Sequence, residues 1–332
     1  MLPEVKTYIF QPNCFTEANY NCTLIQERLI NAVIFRLQDA IKRRMQGQNY
    51  IQLSLFGQNS HPFISIEIPL SEIAKPQQYK FVKISVTKLA SIVVELKYRN
   101  EAKRENRIKL VGLFRVDIPE KGKRNSTILI EMDKMVARKL IEIDLNEQGK
   151  PINYTKFIYQ VALVSKTMYT SRIYKLLCGW RKTGEFIMKL DDFRKLLGIE
   201  NKYKFYRDIK RNVLLPAQKD LENIDAADCW FDCEANDFEV KEGNKVVKLF
   251  FRVITKEHKK DEEKRKDHVI YLLRTHYGFS ERDILAVKNV FNYPNLSEVI
   301  SKISYLHEYV CDTNIKHKKN YIKEALLNEF CA

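Results

Sequence analysis

Residues 202–221 read KYKFYRDIKRNVLLPAQKDL. A helix turns about 100° per residue. On that wheel Tyr206, Ile209, Val213 and Ala217 form one apolar stripe that needs a core to cover it. Lys204, Arg207 and Arg211 fall on the opposite side, with Asp208 beside them and Lys202 just ahead. Taken alone this is an ordinary surface helix, because charged outer faces are the rule. The flanks change that reading. Upstream, GEFIMKLDDFRKLLGI (184–199) gives a short strand from Glu185 to Leu190, a cap at Asp191, and a short helix carrying Phe193, Leu196 and Leu197 that Gly198 ends. Arg172 to Trp180 is a helix before it. Downstream, Trp230 to Cys233 and Val246 to Ile254 are β-rich runs, joined by a polar turn with Gly243 and Asn244, a hairpin signal. Helix, strand, helix, turn, long helix, hairpin is the order of a helix-turn-helix with a β-hairpin wing. In that arrangement the long helix enters a DNA groove, where Lys meets phosphate and Arg meets phosphate or a guanine edge.

The rest of the chain fits a polyanionic partner. The net charge is +15 over 332 residues, with 45% hydrophobic and 30% charged residues, the composition of a folded chain rather than a disordered one. A basic excess of this size points to nucleic acid or an anionic membrane surface. Its even spread along the chain leans towards nucleic acid. No apolar run approaches the roughly 20 residues that cross a bilayer, and MLPEVKTYIF lacks the core of a signal peptide. Seven cysteines without CxxC or zinc-type spacing read as structural thiols of a reducing cytoplasm, with Cys229 and Cys233 as neighbours on one strand face. No metal or other cofactor is expected. Nor is enzymatic activity: His61, His258, His268, His276, His307 and His317 form no His-apolar-His pair, there is no GxxxxGK[ST], and nothing sets up a tyrosine nucleophile.

From the start, residues 1–22 read as an irregular arm. Leu24 to Met45 keeps helical spacing and Gly47 breaks it. Tyr50 to Phe56 and Phe63 to Ile68 read as strands, followed by a cap at Ser71. Gln78 to Tyr98 reads as a second long helix with a core face of Phe81, Ser85, Leu89, Ile92 and Leu96, and with Lys80, Lys83 and Thr87 facing out. Strands follow at Ile108 to Ile118 and Thr127 to Glu131, around a basic tip carrying Lys121, Lys123 and Arg124. Asp133 to Leu140 is a short helix, and Asn146 to Pro151 a linker or loop. This order repeats that of the second half, and the echoes agree with it. Leu70-Ser71-Glu72-Ile73 aligns with Leu190-Asp191-Asp192-Phe193, Tyr79-Lys80-Phe81 with Tyr203-Lys204-Phe205, Lys83 with Arg207, and Phe114-Arg115-Val116 with Phe251-Arg252-Val253. An internal duplication follows. Two recognition helices in tandem read two successive major grooves on one face of the duplex without dimerising.

Residues 170–254 resemble the initiator proteins of iteron-containing, theta-replicating plasmids. TSRIYKLLCGW is similar to that family's Leu-Tyr-Glu-Leu-Leu helix through Arg172, Tyr174, Leu176 and Leu177. DDFRKLLGIENKYKFYRDIKRNVLLPAQKDLE is similar to its central signature through Lys202, Lys204, Tyr206, Arg207, Arg211, Leu215, Pro216 and Ala217. GNKVVKLFFRVI resembles its last strand, and Leu24 to Glu142 matches more loosely. The resemblance implies a protein that binds direct repeats at a plasmid origin as a monomer, helps open an A·T-rich segment, brings in the host initiator and replicative helicase, and represses its own gene as a homodimer made through the first domain. It implies that Lys204, Arg207 and Arg211, with Lys80 and Lys83, meet the major groove. The tips near Lys121, Lys123 and Arg124 and near Lys245 would touch backbone or minor groove. A winged-helix transcriptional repressor shares the fold and the basic ridge, and remains the alternative; a lone palindrome rather than repeats would mark it.

The chain departs from that family in its tail. KEHKKDEEKRKD (256–267) reads as a linker or exposed helix. Helices follow, one opened by Ser280 with Asp283 as a capping box, one by Ser297, and a last amphipathic one from Lys319 to Phe330. Either a small bundle or a docking module for a host replication protein fits. The expected fold is α+β: two tandem, pseudo-duplicated winged-helix domains plus a C-terminal helical tail. The expected divisions are an arm at 1–22, a first winged helix at 23–145, a second at 146–255, and the linker and tail at 256–332.

Overall fold

A computed structural model of the chain describes residues 6–48, 62–99, 105–111, 114–117, 127–292, 296–313 and 315–330. The strand expected at Tyr50 to Phe56 and the basic tip with Lys121, Lys123 and Arg124 lie outside the described residues. The chain falls into two compact units, Met1–Ile254 and Thr255–Ala332.

The first unit opens with β1 (Tyr8–Pro12) and the single turn α1 (Asn13–Thr16). These correct the expected irregular arm. Ile9, Phe15, Ala18 and Tyr20 are buried, so the segment has apolar surface to cover, and β1 finds a strand partner near the middle of the chain. Helix α2 (Leu24–Arg36) starts at a capping box in which the Thr23 hydroxyl accepts from the Gln26 amide and the Gln26 side chain accepts from the Thr23 amide. The helical pattern breaks at Leu37 and resumes as α3 (Gln38–Met45), whose buried Gln38 exchanges two 2.8 Å hydrogen bonds with the Phe10 backbone.

The first winged helix then runs β2 (Phe63–Pro69), α4 (Leu70–Ile73) and α5 (Tyr79–Leu89). The cap of α4 is Pro69, so Ser71 lies inside the helix. The expected 21-residue helix is a shorter one followed by a strand. VVELKYR forms β3 (Val93–Arg99), paired antiparallel along its length with β4 (Glu105–Val111). Its run of β-branched and aromatic residues suits a pleated surface. The core face of α5 is Val82, Val86 and Leu89, all at 0% exposure, and Phe81 points outward. That stripe is wholly apolar, whereas the expected one included Ser85, so burial favours it. Strands β5 (Arg115–Asp117) and β6 (Thr127–Asp133) complete a three-stranded sheet in the order β2-β6-β5. Ile64, Ile66 and Ile68 of β2 and Ile128, Ile130 and Met132 of β6 fill its inner side. Asp133 caps α6 (Lys134–Ile141) by accepting from the Met135 amide at 2.7 Å.

The expected linker is a tight turn between β7 (Asp144–Leu145) and β8 (Pro151–Ile152), which leads into β9 (Tyr154–Ile158), the antiparallel partner of β1. Helices α7 (Tyr159–Val164) and α8 (Met168–Gly179) follow. The second winged helix is β10 (Glu185–Lys189), α9 (Leu190–Leu197), then α10 (Tyr206–Ile209), a π-helical turn at Lys210–Leu214, and α11 (Leu215–Asn223). Helix α9 is capped by Lys189, so Asp191 sits in its first turn, where its charge suits the helix dipole. Cys229–Trp230 forms β11, and the wing is β12 (Glu239–Glu242) against β13 (Lys245–Arg252) around Gly243-Asn244. The wing's first strand is thus Glu239–Glu242 rather than Trp230 to Cys233, which is mostly irregular and buried. The sheet order β10-β13-β12 matches that of the first domain, with a central strand flanked by the strand before the helix pair and by the wing. The echo of Phe114-Arg115-Val116 with Phe251-Arg252-Val253 pairs an outer strand with a central one, so it does not mark equivalent positions.

Beyond Thr255, the described residues of the second unit form helices and the turns between them. Its charged run belongs to one helix, α12 (Lys256–Tyr277). Helices α13 (Glu281–Ala286), α14 (Leu296–Asp312) and α15 (Lys318–Phe330) follow. The Ser280–Asp283 capping box is present, and α14 begins one residue before Ser297. The unit has its own core, built from Val269, Leu273, Val287, Val299, Ile303, Leu306, Ile322 and Leu326 among others.

Candidate nucleic-acid interface

The second helix-turn-helix is held rigid from behind. Gly198 ends α9 at φ 63°, and a Cβ there would lie 2.9 Å from the Asn21 Cβ and 3.0 Å from the Tyr20 carbonyl oxygen. Only glycine fits both the left-handed backbone and the close approach. The Ile199 amide donates to the Arg194 carbonyl at 2.9 Å, and the Arg194 guanidinium donates to the Tyr203 carbonyl, which fixes the turn between the helices. Residues 202–205 belong to that turn, and the helix starts at Tyr206 behind an extended Phe205. Lys202 and Lys204 therefore precede the helix instead of riding on it.

The apolar stripe is as expected. Ile209, Val213 and Ala217 are buried, joined by Leu214 and Leu221, and the helix packs on α8. The π-turn has a local cause. Pro216 has no amide to donate to the Asn212 carbonyl, and one widened turn just before a mid-helix proline accommodates that loss. The far end is anchored by Gln218, which accepts from the Cys233 amide at 2.9 Å, and by Asp220, which accepts from the Lys166 amide at 2.8 Å. Lys210 reaches the wing and pairs with Glu239 at 2.6 Å. Burial alone would raise the Glu239 carboxyl, and the hydrogen bond and charge of Lys210 bring it below its ordinary value. Burial and Glu239 push the neighbouring Tyr206 hydroxyl well up, so it stays neutral.

In front, Lys204, Arg207 and Arg211 are exposed, with Lys245 at the wing tip. Arg211, its side chain 74% exposed, pairs with Asp208 at 3.2 Å. Such a pair contributes little to stability, but it limits the directions the guanidinium takes. Lys202 donates to the Tyr169 hydroxyl at 3.4 Å. Phe205, 52% exposed, lies beneath two cations, with Arg207 5.2 Å and Lys204 5.7 Å from its ring centre. In the first domain Lys80 and Thr87 are exposed on α5 and Lys83 is half-buried; the Thr87 hydroxyl donates to the Lys83 carbonyl at 3.0 Å. The wheel reading missed Phe81 (64% exposed) and Ile84 (50% exposed) on the same outer side. The fully apolar spacing of Val82, Val86 and Leu89 was the signal that would have turned them outward.

The cysteine pairing also differs from expectation. Cys229 lies against Cys178, Sγ to Sγ 3.7 Å, rather than beside Cys233. Asp228 joins them, and the Arg181 guanidinium sits 2.9 Å from the Cys178 Sγ and 2.9 Å from the Asp228 carboxylate. The positive charge of this cluster is thus already supplied by the protein. Burial, followed by the Cys229 thiol, raises the Cys178 thiol.

The chain matches the family described as "Initiator Replication protein, WH1" over residues 8–178 and that described as "Initiator Rep protein, WH2" over residues 189–253. Among solved structures it is similar to the Pi initiator protein in complex with iteron DNA, at 17% identity and a TM-score of 0.46, covering 76% of this chain and 98% of that one. It is also similar to domains 2 and 3 of RctB, at 11% identity and a TM-score of 0.30, covering 57% and 74%. No curated protein sequence matches it.

Proposed function

The chain belongs to the initiator Rep protein family, with its WH1 and WH2 winged helices, and on that premise we propose that it starts plasmid replication by binding directly repeated sites in origin DNA. The observation that carries the reading is the pair of helices α5 and α10–α11. Each has a buried apolar face, an outer face bearing cations, and a three-stranded sheet behind it. Two such helices within one unit suit a long asymmetric site read by a monomer.

Lys204, Arg207 and Arg211 meet the second major groove, with Asp208 steering Arg211 and Lys202 grasping the adjoining backbone. Lys80, Lys83 and Thr87 serve the first groove. Lys245 touches backbone or minor groove from the wing, and Lys121, Lys123 and Arg124 do so from the first domain. Phosphate contacts supply affinity and base contacts supply specificity. Residues 23–145 also form the homodimer that represses the protein's own gene, and residues 146–255 are the main sequence reader. Residues 256–332 meet the host initiator or replicative helicase, and residues 1–22 brace the domains. The protein works in the bacterial cytoplasm; among the described residues no helix is long and apolar enough to cross a membrane.

Footprinting of the purified protein on its own upstream DNA at two salt concentrations tests this. Protection over direct repeats, with two successive major grooves covered per monomer, is expected. Binding without a preferred site would overturn it.

A further inference from the structure

Tyr-Lys-Phe occurs at the leading end of both recognition elements, as Tyr79-Lys80-Phe81 in the first turn of α5 and as Tyr203-Lys204-Phe205 in the turn that runs into α10. In both copies the tyrosine is half-buried, the lysine exposed, and the phenylalanine turned to solvent, at 64% and 52% exposure. A single exposed phenylalanine needs no explanation. The same residue exposed at the leading end of each recognition helix does, because that end of a helix-turn-helix meets base edges. Ile84, one turn on from Phe81 and 50% exposed, extends the apolar tip in the first domain.

The ligand for such a tip follows from what a major groove offers. Its apolar feature is the thymine C5-methyl group, and apolar side chains read it by contact. A second copy of this chain is the less suitable occupant. Lys80, Lys83 and Lys88 lie within two helical turns of Phe81 along α5, and Lys204 and Arg207 lie over the Phe205 ring with Lys202 and Arg211 nearby in the chain, so two copies meeting there would bring like charges together. Duplex DNA brings phosphates to those same cations.

Resting on the reading above, we propose that Phe81 and Phe205 are specificity residues that contact thymine methyl groups in two successive major grooves, with Ile84 sharing the work of Phe81. The repeat then carries a thymine at two positions about one helical turn, roughly 10 base pairs, apart. The cations over Phe205 keep its ring in place while their charges remain available to the backbone.

The test uses the full-length chain and its footprinted repeat. Each thymine in turn is replaced by deoxyuridine, which removes the methyl group and leaves base pairing intact. The wild-type protein should lose about fourfold in affinity at two clusters of positions about one turn apart, the weight of one buried methyl group each. Phe205→Ala should abolish the loss at one cluster only, and Phe81→Ala at the other, with thermal unfolding confirming that both variants remain folded. Equal wild-type affinity for thymine and uracil repeats would overturn the proposal, and this comparison decides the matter even where a variant fails to fold. If that equality comes with continued preference for the repeat over random DNA, the initiator reading stands. Loss of that preference on the natural repeat would overturn the initiator reading itself.

Discussion

At the scale of single residues, the cations of the second winged helix differ in whether they are tied into the fold or left exposed on its outer side. Lys210 is committed to Glu239 and Arg194 to the Tyr203 carbonyl, so they shape the site. Arg207 and Arg211 face solvent at the leading end of the helix. Arg207→Ala and Arg211→Ala should each weaken specific binding by about 1–3 kcal/mol if their guanidinium groups meet bases. Equilibrium titration against repeat and random DNA checks this, and an unchanged ratio of the two affinities in both variants would remove the recognition role. Lys83→Ala should behave as a lost phosphate contact. It should weaken both kinds of DNA similarly and flatten the plot of log affinity against log salt by about one unit. That Arg207 and Arg211 lie on the outer side of their helix was legible in the sequence, because a wheel needs only composition and period. Their exact standing was not. Lys204 precedes the helix because Phe205 is extended, and Phe81 faces out because Val82 takes the core. A one-position rotation of a helix is easily misread when both candidate stripes contain apolar residues, and here only Ser85 in one stripe tells them apart.

At the scale of elements, both helix-turn-helix units and both central strands could be read from periodicity. The errors sit where two periods compete. Val93 and Leu96 fall at spacings that continue the stripe of α5, yet residues 93–99 form β3, because an antiparallel partner at 105–111 outweighs local pattern. The arm was missed for a related reason: the partner of β1 is the distant β9, in which Ile158 faces Tyr8 and Tyr154 faces Pro12. Non-local pairing leaves little local trace. Within the recognition element, the π-turn and the Gly198 turn set where the helix points. Gly198→Ala should therefore destabilise the first unit by at least about 1–2 kcal/mol from the left-handed backbone alone, with the approach to Asn21 and Tyr20 adding to it. Urea unfolding measures this as a lower midpoint with an unchanged slope. A midpoint equal to the wild type would show that the turn tolerates a Cβ and that its geometry is not what positions the helix.

At the scale of the whole molecule, the two winged helices meet through α8, which backs the recognition helix and grips α2. Lys175 of α8 pairs with Glu27 of α2 at 2.5 Å with both side chains buried, and Asn31, Ser171 and Tyr20 complete the hydrogen bonds. Arg172 donates to the Tyr20 and Ala18 carbonyls. Burial alone would raise the Glu27 carboxyl, but Lys175 and Arg172 carry it below its ordinary value. Its folded-state value is thus depressed, so its contribution is complete above the ordinary carboxylate range near pH 4.3 and is lost as pH falls through the folded value. Lys175→Met should cost about 3–5 kcal/mol by leaving a buried charge alone, and adding Glu27→Leu should recover much of it. A fully additive double variant in chemical unfolding would disprove the coupling.

The helical unit tests a different link, between architecture and host. Its core is its own, and the family matches end at residue 253, ahead of Thr255. Every described cation assigned to DNA lies in the first unit. A chain ending at Ile254 should therefore bind the repeats within about twofold of the full protein, the scatter expected of independent sites. If residues 256–332 meet a host replication protein, the same truncation should fail to maintain a plasmid that carries the origin. Gel shifts and plasmid establishment in one host separate the two roles. Normal establishment would remove the docking role from the tail, and weakened repeat binding would place part of the DNA grip there.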